Sequence, residues 1–371
     1  MQKERMKERP MTAFGTYVED LLDPEIFGRI VAAANFEEPD MVPAWDYVDN
    51  WKVVKHFAGA ERDQLKAFVK VYHGLGIDLC RGYGNIYEPG DDGKTIMDGG
   101  TERRVSGLTL WNNPPIKSLE GLKSYHIDPP SREAIRESIE SDRKLCEAFA
   151  PYTMWVPGCN VGFDVYCSVT NLGIFSIAMR KIPEEIKRIM AERNEASFRY
   201  ATAIAKERLS PIFFIGEDIA YKNRPMFSMQ YLRREFMPLL ERLCSPLKEA
   251  GIKVIFHSDG YLPDELIDDL IRAGIDGLNP IEPVAGMDIA HLKEKYYGKL
   301  ILVGNLDCSQ ILPLGPPELV VEETKKLIGI ASPGGGHFIG SSSELTPSTP
   351  LENILSFYRT VRKYGKYGKR Q

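Results

Sequence analysis

The sequence predicts an α/β protein built as a single (β/α)8 (TIM) barrel, with an N-terminal helical cover and a β-hairpin insertion. Three observations carry that expectation. Eight short runs rich in β-branched and aromatic residues alternate with amphipathic stretches of helical length. The stretch Lys253 to Pro283 reads as strand, helix and strand: KVIFHSDG, YLPDELIDDLIRAG, IDGLNPIEP. Such a unit makes its two strands parallel neighbours. Polar residues stand just past each strand-like run, which is where parallel sheets bind ligands.

In chain order, residues 1–40 read as helical and irregular, a lid or cover. DMVPAW, from Asp40 to Trp45, is the first strand candidate, and GIDLCR, from Gly76 to Arg81, the second. Residues 86–111 break the pattern. Turn signals at Asp92-Gly93 and Asp98-Gly99-Gly100 between alternating segments predict an antiparallel hairpin. Ser131 to Ala150 is a charged helix, Tyr152 to Pro157 the third strand, and Gly162 to Met179 an aromatic-rich connection. A long amphipathic helix opens at Pro183 and runs to Arg208. PIFFIGED, Pro211 to Asp218, is the fourth strand and ends in two adjacent carboxylates. Helix Tyr231 to Ala250 leads to the fifth strand at Val254. Pro263 and Gly274 then bracket a helix with apolar Leu266, Ile267, Leu270 and Ile271. Ile275 to Leu278, LILVGNLDC from Leu300 and HFIGSSSEL from His337 supply the last three strands. Helices over Pro316 to Ile328 and Leu351 to Lys363 fill the remaining gaps. The whole chain, 1–371, reads as one domain.

Composition removes several classes of function. At 43% hydrophobic and 27% charged residues the chain has the balance of a globular protein and not of a disordered one. A formal net charge of -5 argues against a general nucleic-acid binder. No apolar run approaches the roughly 20 residues needed to span a bilayer, and MQKERMKERP is too polar for a signal peptide. Six cysteines without a CxxC pair favour reduced thiols and a cytoplasmic address. GDDGKT, Gly90 to Thr95, lacks the first glycine of a phosphate loop, since Glu88 stands there. PGGGHFIG lacks GxGxxG spacing and reads as a tight helix-to-strand connection. The tail RKYGKYGKR reads as a solvated terminus.

The candidate site gathers residues from several strand ends. His257 and Asp259 are two apart, so in an extended chain they face the same way. Imidazole and carboxylate together can ligate zinc, with Glu217 or Cys308 completing the set. His257, Glu217 and Asp259 are therefore also the catalytic candidates. Asn279 and Glu282 follow the sixth strand and, with the aromatics Trp45, Trp155 and Tyr166, are candidates for holding a flat apolar substrate.

VIFHSDG, AGIDGLNPIEP, LVGNLD, PGGG and TPLENI resemble the uroporphyrinogen decarboxylase superfamily, over roughly Pro211 to Tyr364. The resemblance itself implies a single (β/α)8 barrel. The decarboxylases carry an arginine-rich segment for their substrate's carboxylates, whereas PDMVPAWDYVDN here has no arginine, which points away from tetrapyrroles. The zinc- and corrinoid-dependent methyltransferase branch is similar in placing a His-x-Cys pair at the fifth strand and a further Cys after the eighth. Here His257 matches the histidine, Asp259 stands in place of the cysteine, and Ser343 falls near the second. An oxygen-richer site is a harder Lewis acid, suited to polarising an ether or amine. The resemblance therefore implies a methyltransferase that moves methyl from a small methoxylated, aromatic substrate to Co(I) of a corrinoid (cobalamin) on a partner protein. Zinc is the expected Lewis acid. Self-association as a homodimer is left open. The alternatives are a metal-free decarboxylase, a methylcorrinoid:thiol methyltransferase and a silent barrel that only docks a corrinoid protein.

Overall fold

The computed structural model describes residues 15–86, 94–98, 101–106 and 109–368. It is an α/β fold whose core strands lie in two parallel sheets. The first contains β1 (Trp45–Val48), β2 (Leu79–Tyr83) and β6 (Met154–Trp155). The second runs through β7 (Gly158–Cys159), β8 (Ile212–Gly216), β11 (Lys253–His257), β12 (Gly277–Asn279), β13 (Ile301–Val303) and β14 (His337–Phe338). All eight expected strand regions are present; after β8 the short strands β9 (Ala220–Tyr221) and β10 (Arg224–Pro225) pair antiparallel outside the two sheets.

The sheets meet at two seams. At one, a single extended segment serves both: Met154 and Val156 N–H groups donate to Asp78 and Cys80, and the Pro157 carbonyl accepts from Phe214. Pro157 has no N–H, and there the expected single strand divides into β6 and β7. At the other seam, Trp45 N–H donates to the Ile339 carbonyl and Ile339 N–H to the Pro43 carbonyl, both at 2.9 Å. Buried Asp46 bolts this second seam. Its carboxylate accepts from Ser341 N–H (2.9 Å), Ser341 Oγ (2.7 Å) and Tyr358 OH (2.7 Å). The first strand was expected over 40–45 and instead begins at Trp45, because Pro43 interrupts the donor row just before it.

Helices cover the sheets as their patterns require. Arg132–Phe149 starts at the Ser131 cap, whose hydroxyl accepts from Ala134 N–H. Pro183–Glu207 has proline in its first turn. Asp264–Ala273 buries Leu266, Ile267 and Leu270 and stops at left-handed Gly274. Glycines 334, 335 and 336 all have positive φ, making the short turn from helix Pro317–Ala331 into β14. The N-terminal segment packs beside this turn: a Cβ on Gly335 would lie 2.3 Å from the Glu37 carbonyl.

Helix Pro24–Ala34 is tied down by Arg29, which pairs with Asp40 and with Asp78 at the start of β2. These contacts lie at the strands' N-terminal ends. Residues 24–40 thus make these contacts on the face away from the polar strand ends. The insertion forms three antiparallel strands, β3 (Lys94–Asp98), β4 (Thr101–Ser106) and β5 (Thr109–Asn113), one more than the expected hairpin. The turn residues Asp92-Gly93 and Gly99-Gly100 lie outside the described residues, as do most of GDDGKT and the last three residues of the tail.

Candidate metal centre

Trp45, Phe214 and Phe338 come from strands in both sheets, yet their rings meet, with centroids 6.2 and 5.9 Å from Trp45. The faces carrying them therefore share one interior. His257 closes this layer from above, its ring 5.5 Å from Phe214. The strand ends then deliver polar groups around it.

The imidazole orientation follows from its neighbour. His257 Nδ1 lies 2.7 Å from Asn279 Oδ1, and Asn279 Nδ2 points to the Val303 carbonyl at 3.5 Å. With the amide oxygen facing the ring, Nδ1 carries the proton and Nε2 keeps a lone pair. Nε2 looks toward Asp218 Oδ1 at 3.8 Å and Asp259 Oδ1 at 4.0 Å. These gaps are too long for hydrogen bonds. Asp259 Oδ1 is buried with no hydrogen-bond partner, although burial of such a group is costly without one. Burial raises the Asp259 carboxyl, His257 opposes that shift, and Asp218 adds to it.

Among the described residues, Asp218, His257 and Asp259 form the only group of three such donors whose ligating atoms all lie within 4.8 Å of one another. Tetrahedral zinc bonds of about 2.0–2.2 Å place neighbouring donors roughly 3.3 Å apart. The three donors stand slightly wider than that, around an oxygen left without a partner. One nitrogen and two carboxylate oxygens are a reasonable set for zinc in a catalytic site.

The loops that carry the donors are pinned in turn. Asp218 Oδ1 accepts from Asp259 N–H at 3.0 Å, and Tyr166 OH donates to the Asp218 carbonyl at 2.9 Å. Glu282 accepts from Gly260 N–H at 2.9 Å. Gly260 has φ +94°, and a Cβ there would lie 2.6 Å from the Tyr221 carbonyl, so the turn after β11 needs glycine.

The other expected site residues are dispersed. Glu217 is not among the clustered donors. Its Oε2 accepts from Gly162 and Phe163 N–H groups at 3.1 and 3.0 Å, and burial pushes its carboxyl well above the usual range. Consecutive residues in extended chain face opposite ways, so when Asp218 enters the site Glu217 turns inward. Cys308 also stays out of the cluster. Its neighbour is Ser342, whose hydroxyl donates to Sγ at 3.4 Å and accepts from Cys308 N–H at 3.1 Å. Trp155 is not at the site either: it stacks on Phe149 of helix Arg132–Phe149 and donates to Asp142 at 2.9 Å. Trp45 is buried beneath the site. Asn279, Glu282 and Tyr166 hold the loops and the imidazole. Phe214 and Arg81 were not singled out from the sequence, and Asp218 was noted beside Glu217 at the end of the fourth strand but not among the ligand candidates.

The model of uroporphyrinogen decarboxylase (URO-D) matches residues 110–364. The chain belongs to the uroporphyrinogen decarboxylase family. Among relatives, the methylcobamide:CoM methyltransferase MtbA of Methanosarcina acetivorans is 25% identical over 160 residues, 42% of this chain and 43% of that protein. The matched part thus spans less than half of that relative's length. A methyltransferase from Methanosarcina mazei has the same fold, with TM-score 0.66 and 19% identity over 91% of this chain and 98% of its own.

Proposed function

We propose that this member of the uroporphyrinogen decarboxylase family is a corrinoid-dependent methyltransferase. It takes methyl from a methoxylated, aromatic substrate and passes it to the Co(I) corrinoid of a separate protein. The two sheets, joined at both seams, are read as one closed (β/α)8 barrel forming a single domain over 1–371. Its mouth is the ring of strand ends that holds His257, Asp218 and Asp259. The likeness to MtbA supports the methyltransferase branch. The observation that carries the reading is the imidazole itself: Asn279 fixes its tautomer so that Nε2 faces two carboxylates, one of which has an unpartnered oxygen.

His257, Asp218 and Asp259 would hold the zinc ion, with one position left for substrate. Bound there, zinc supplies a Lewis acid for the charge that develops on the departing oxygen. Two of three donors are oxygen, which suits an ether better than a thiolate. The chain's own residues do the positioning. Asn279 keeps the imidazole proton off Nε2, Tyr166 and Glu282 hold the carboxylate-bearing loops, and Phe214 offers a flat face beside the site. Glu217 fixes the 162–163 turn from within.

We place the protein in the cytoplasm, which its six free cysteines fit. Among the described residues no helix is long and apolar enough to cross a membrane. The test is a panel of methoxylated aromatics incubated anaerobically with the chain and a cognate corrinoid protein. Free phenol is expected only when both proteins are present. Release of carbon dioxide from a carboxylated substrate without any corrinoid would instead favour the decarboxylase reading.

A further inference from the structure

Arg81 is a cation near the metal centre with no ion-paired anion among the described residues. It sits in β2, half-buried, with its guanidinium carbon 4.8 Å from the Phe214 ring centroid and 5.1 Å from that of Tyr47. Other half-buried arginines have carboxylate partners, among them Arg29 with Asp40 and Asp78, Arg188 with Glu185 and Glu192, and Arg193 with Asp164. Arg208 has none among the described residues, but it donates to the Ala250 carbonyl far from the metal centre. Among the described residues Arg81 has no such ion pair. Its one hydrogen bond there is from Nη2 to the Ser343 carbonyl, at 3.4 Å. Asp259 and Glu344 feel its charge, which lowers both carboxyls against the effect of burial, but neither bonds to it.

Phe214 neighbours both this guanidinium and the metal centre. Its ring centroid is 4.8 Å from the Arg81 guanidinium carbon and 5.5 Å from the His257 ring. The two groups are therefore no farther apart than those two spacings laid end to end. A guanidinium stacked on a ring keeps its fork of N–H donors in plane and free for a carboxylate, which it binds bidentately.

We propose that Arg81 anchors a carboxylate on the methyl donor, so that the substrate class is methoxylated aromatic carboxylates. The carboxylate sits on Arg81, the ether oxygen faces His257, Asp218 and Asp259, and the substrate's ring lies along Phe214. A para arrangement of the two groups matches anchors at opposite ends of one ring. This specificity role rests on the proposed methyl transfer for its meaning, but it can be tested without it.

The experiment is calorimetric titration of the full chain with 4-methoxybenzoate and with 4-methoxybenzamide, a neutral compound of nearly the same shape. The wild type should prefer the acid by about tenfold or more. Arg81→Gln should weaken the acid between about tenfold and a hundredfold, the range for losing a charged hydrogen-bond partner, and leave the amide unchanged. Arg81→Lys should keep part of the preference, since it retains charge but not the fork. Metal content and thermal unfolding of both variants serve as the check on folding. If the wild type binds acid and amide equally, or binds no acid, or if Arg81→Gln binds the acid as well as wild type, the anchor is overturned. Acid binding through Arg81 without any methyl transfer would sink the proposed reaction and leave the anchor standing.

Discussion

At residue 257 one ring nitrogen meets Asn279 and the other looks across gaps of 3.8 and 4.0 Å to Asp218 and Asp259. If these donors hold zinc, His257→Ala, Asp218→Asn and Asp259→Asn should each lose most of the metal on dialysis. Elemental analysis of the purified variants reads this directly. Glu217→Gln should keep the metal, because its carboxylate is engaged by Gly162 and Phe163 N–H groups and not by the cluster. Asn279→Ala should weaken zinc about 10–100-fold in competition with a chelator, the usual effect of removing the group that orients a ligating histidine. The sequence pointed to His257 and Asp259 through their spacing, which is a local property. It chose Glu217 where the structure brings Asp218 into the cluster, since that choice depends on which way the chain faces as it leaves β8. Arg81 was equally hidden: an arginine in a strand shows its lack of a partner only when its neighbours from other strands are in place.

The elements repeat this contrast between local and long-range information. Helix ends were legible because capping is local: Ser131, Pro183 and Gly274 do what their chemistry requires. Strand limits in the first half were less so, because they depend on partners far away in sequence and on Pro43 and Pro157 interrupting the donor rows. The Asp46 bolt spans about three hundred residues and has no signature at either end. Asp46→Ala leaves Ser341 and Tyr358 without their acceptor and should cost about 3 kcal/mol or more, measurable by urea unfolding. A pH effect belongs to β14. His337 is fully buried between the Gly304 carbonyl and the Ser332 hydroxyl, and burial lowers its pKa to about 3. The unfolded chain therefore takes up a proton near pH 6.5 that the folded chain refuses. This contribution is present above pH 6.5 and is lost as pH falls toward 3, at a slope approaching 1.4 kcal/mol per pH unit, about one proton's worth. Stability curves at pH 7 and pH 5 should differ less in His337→Gln than in wild type, after correction for the variant's own lower stability.

For the whole molecule, the alternation of strands and helices made the α/β class readable, and the motifs after Pro211 made the family readable; residues 110–364 match its model. The joining of the two sheets at Pro43–Trp45 and at 154–159 was not readable, since each seam rests on backbone hydrogen bonds between remote segments. The central claim is that this assembly delivers a substrate methyl group to a corrinoid carried elsewhere. It is tested most directly by following the Co(I) absorbance of a separately purified corrinoid protein under reducing, anaerobic conditions. The mixture contains the zinc-loaded chain and 4-methoxybenzoate as donor. The account predicts that the Co(I) signal disappears in proportion to the phenol formed, and that His257→Ala slows this by orders of magnitude. A Co(I) signal that persists while the donor is demethylated, or that disappears equally fast with His257→Ala, would contradict it.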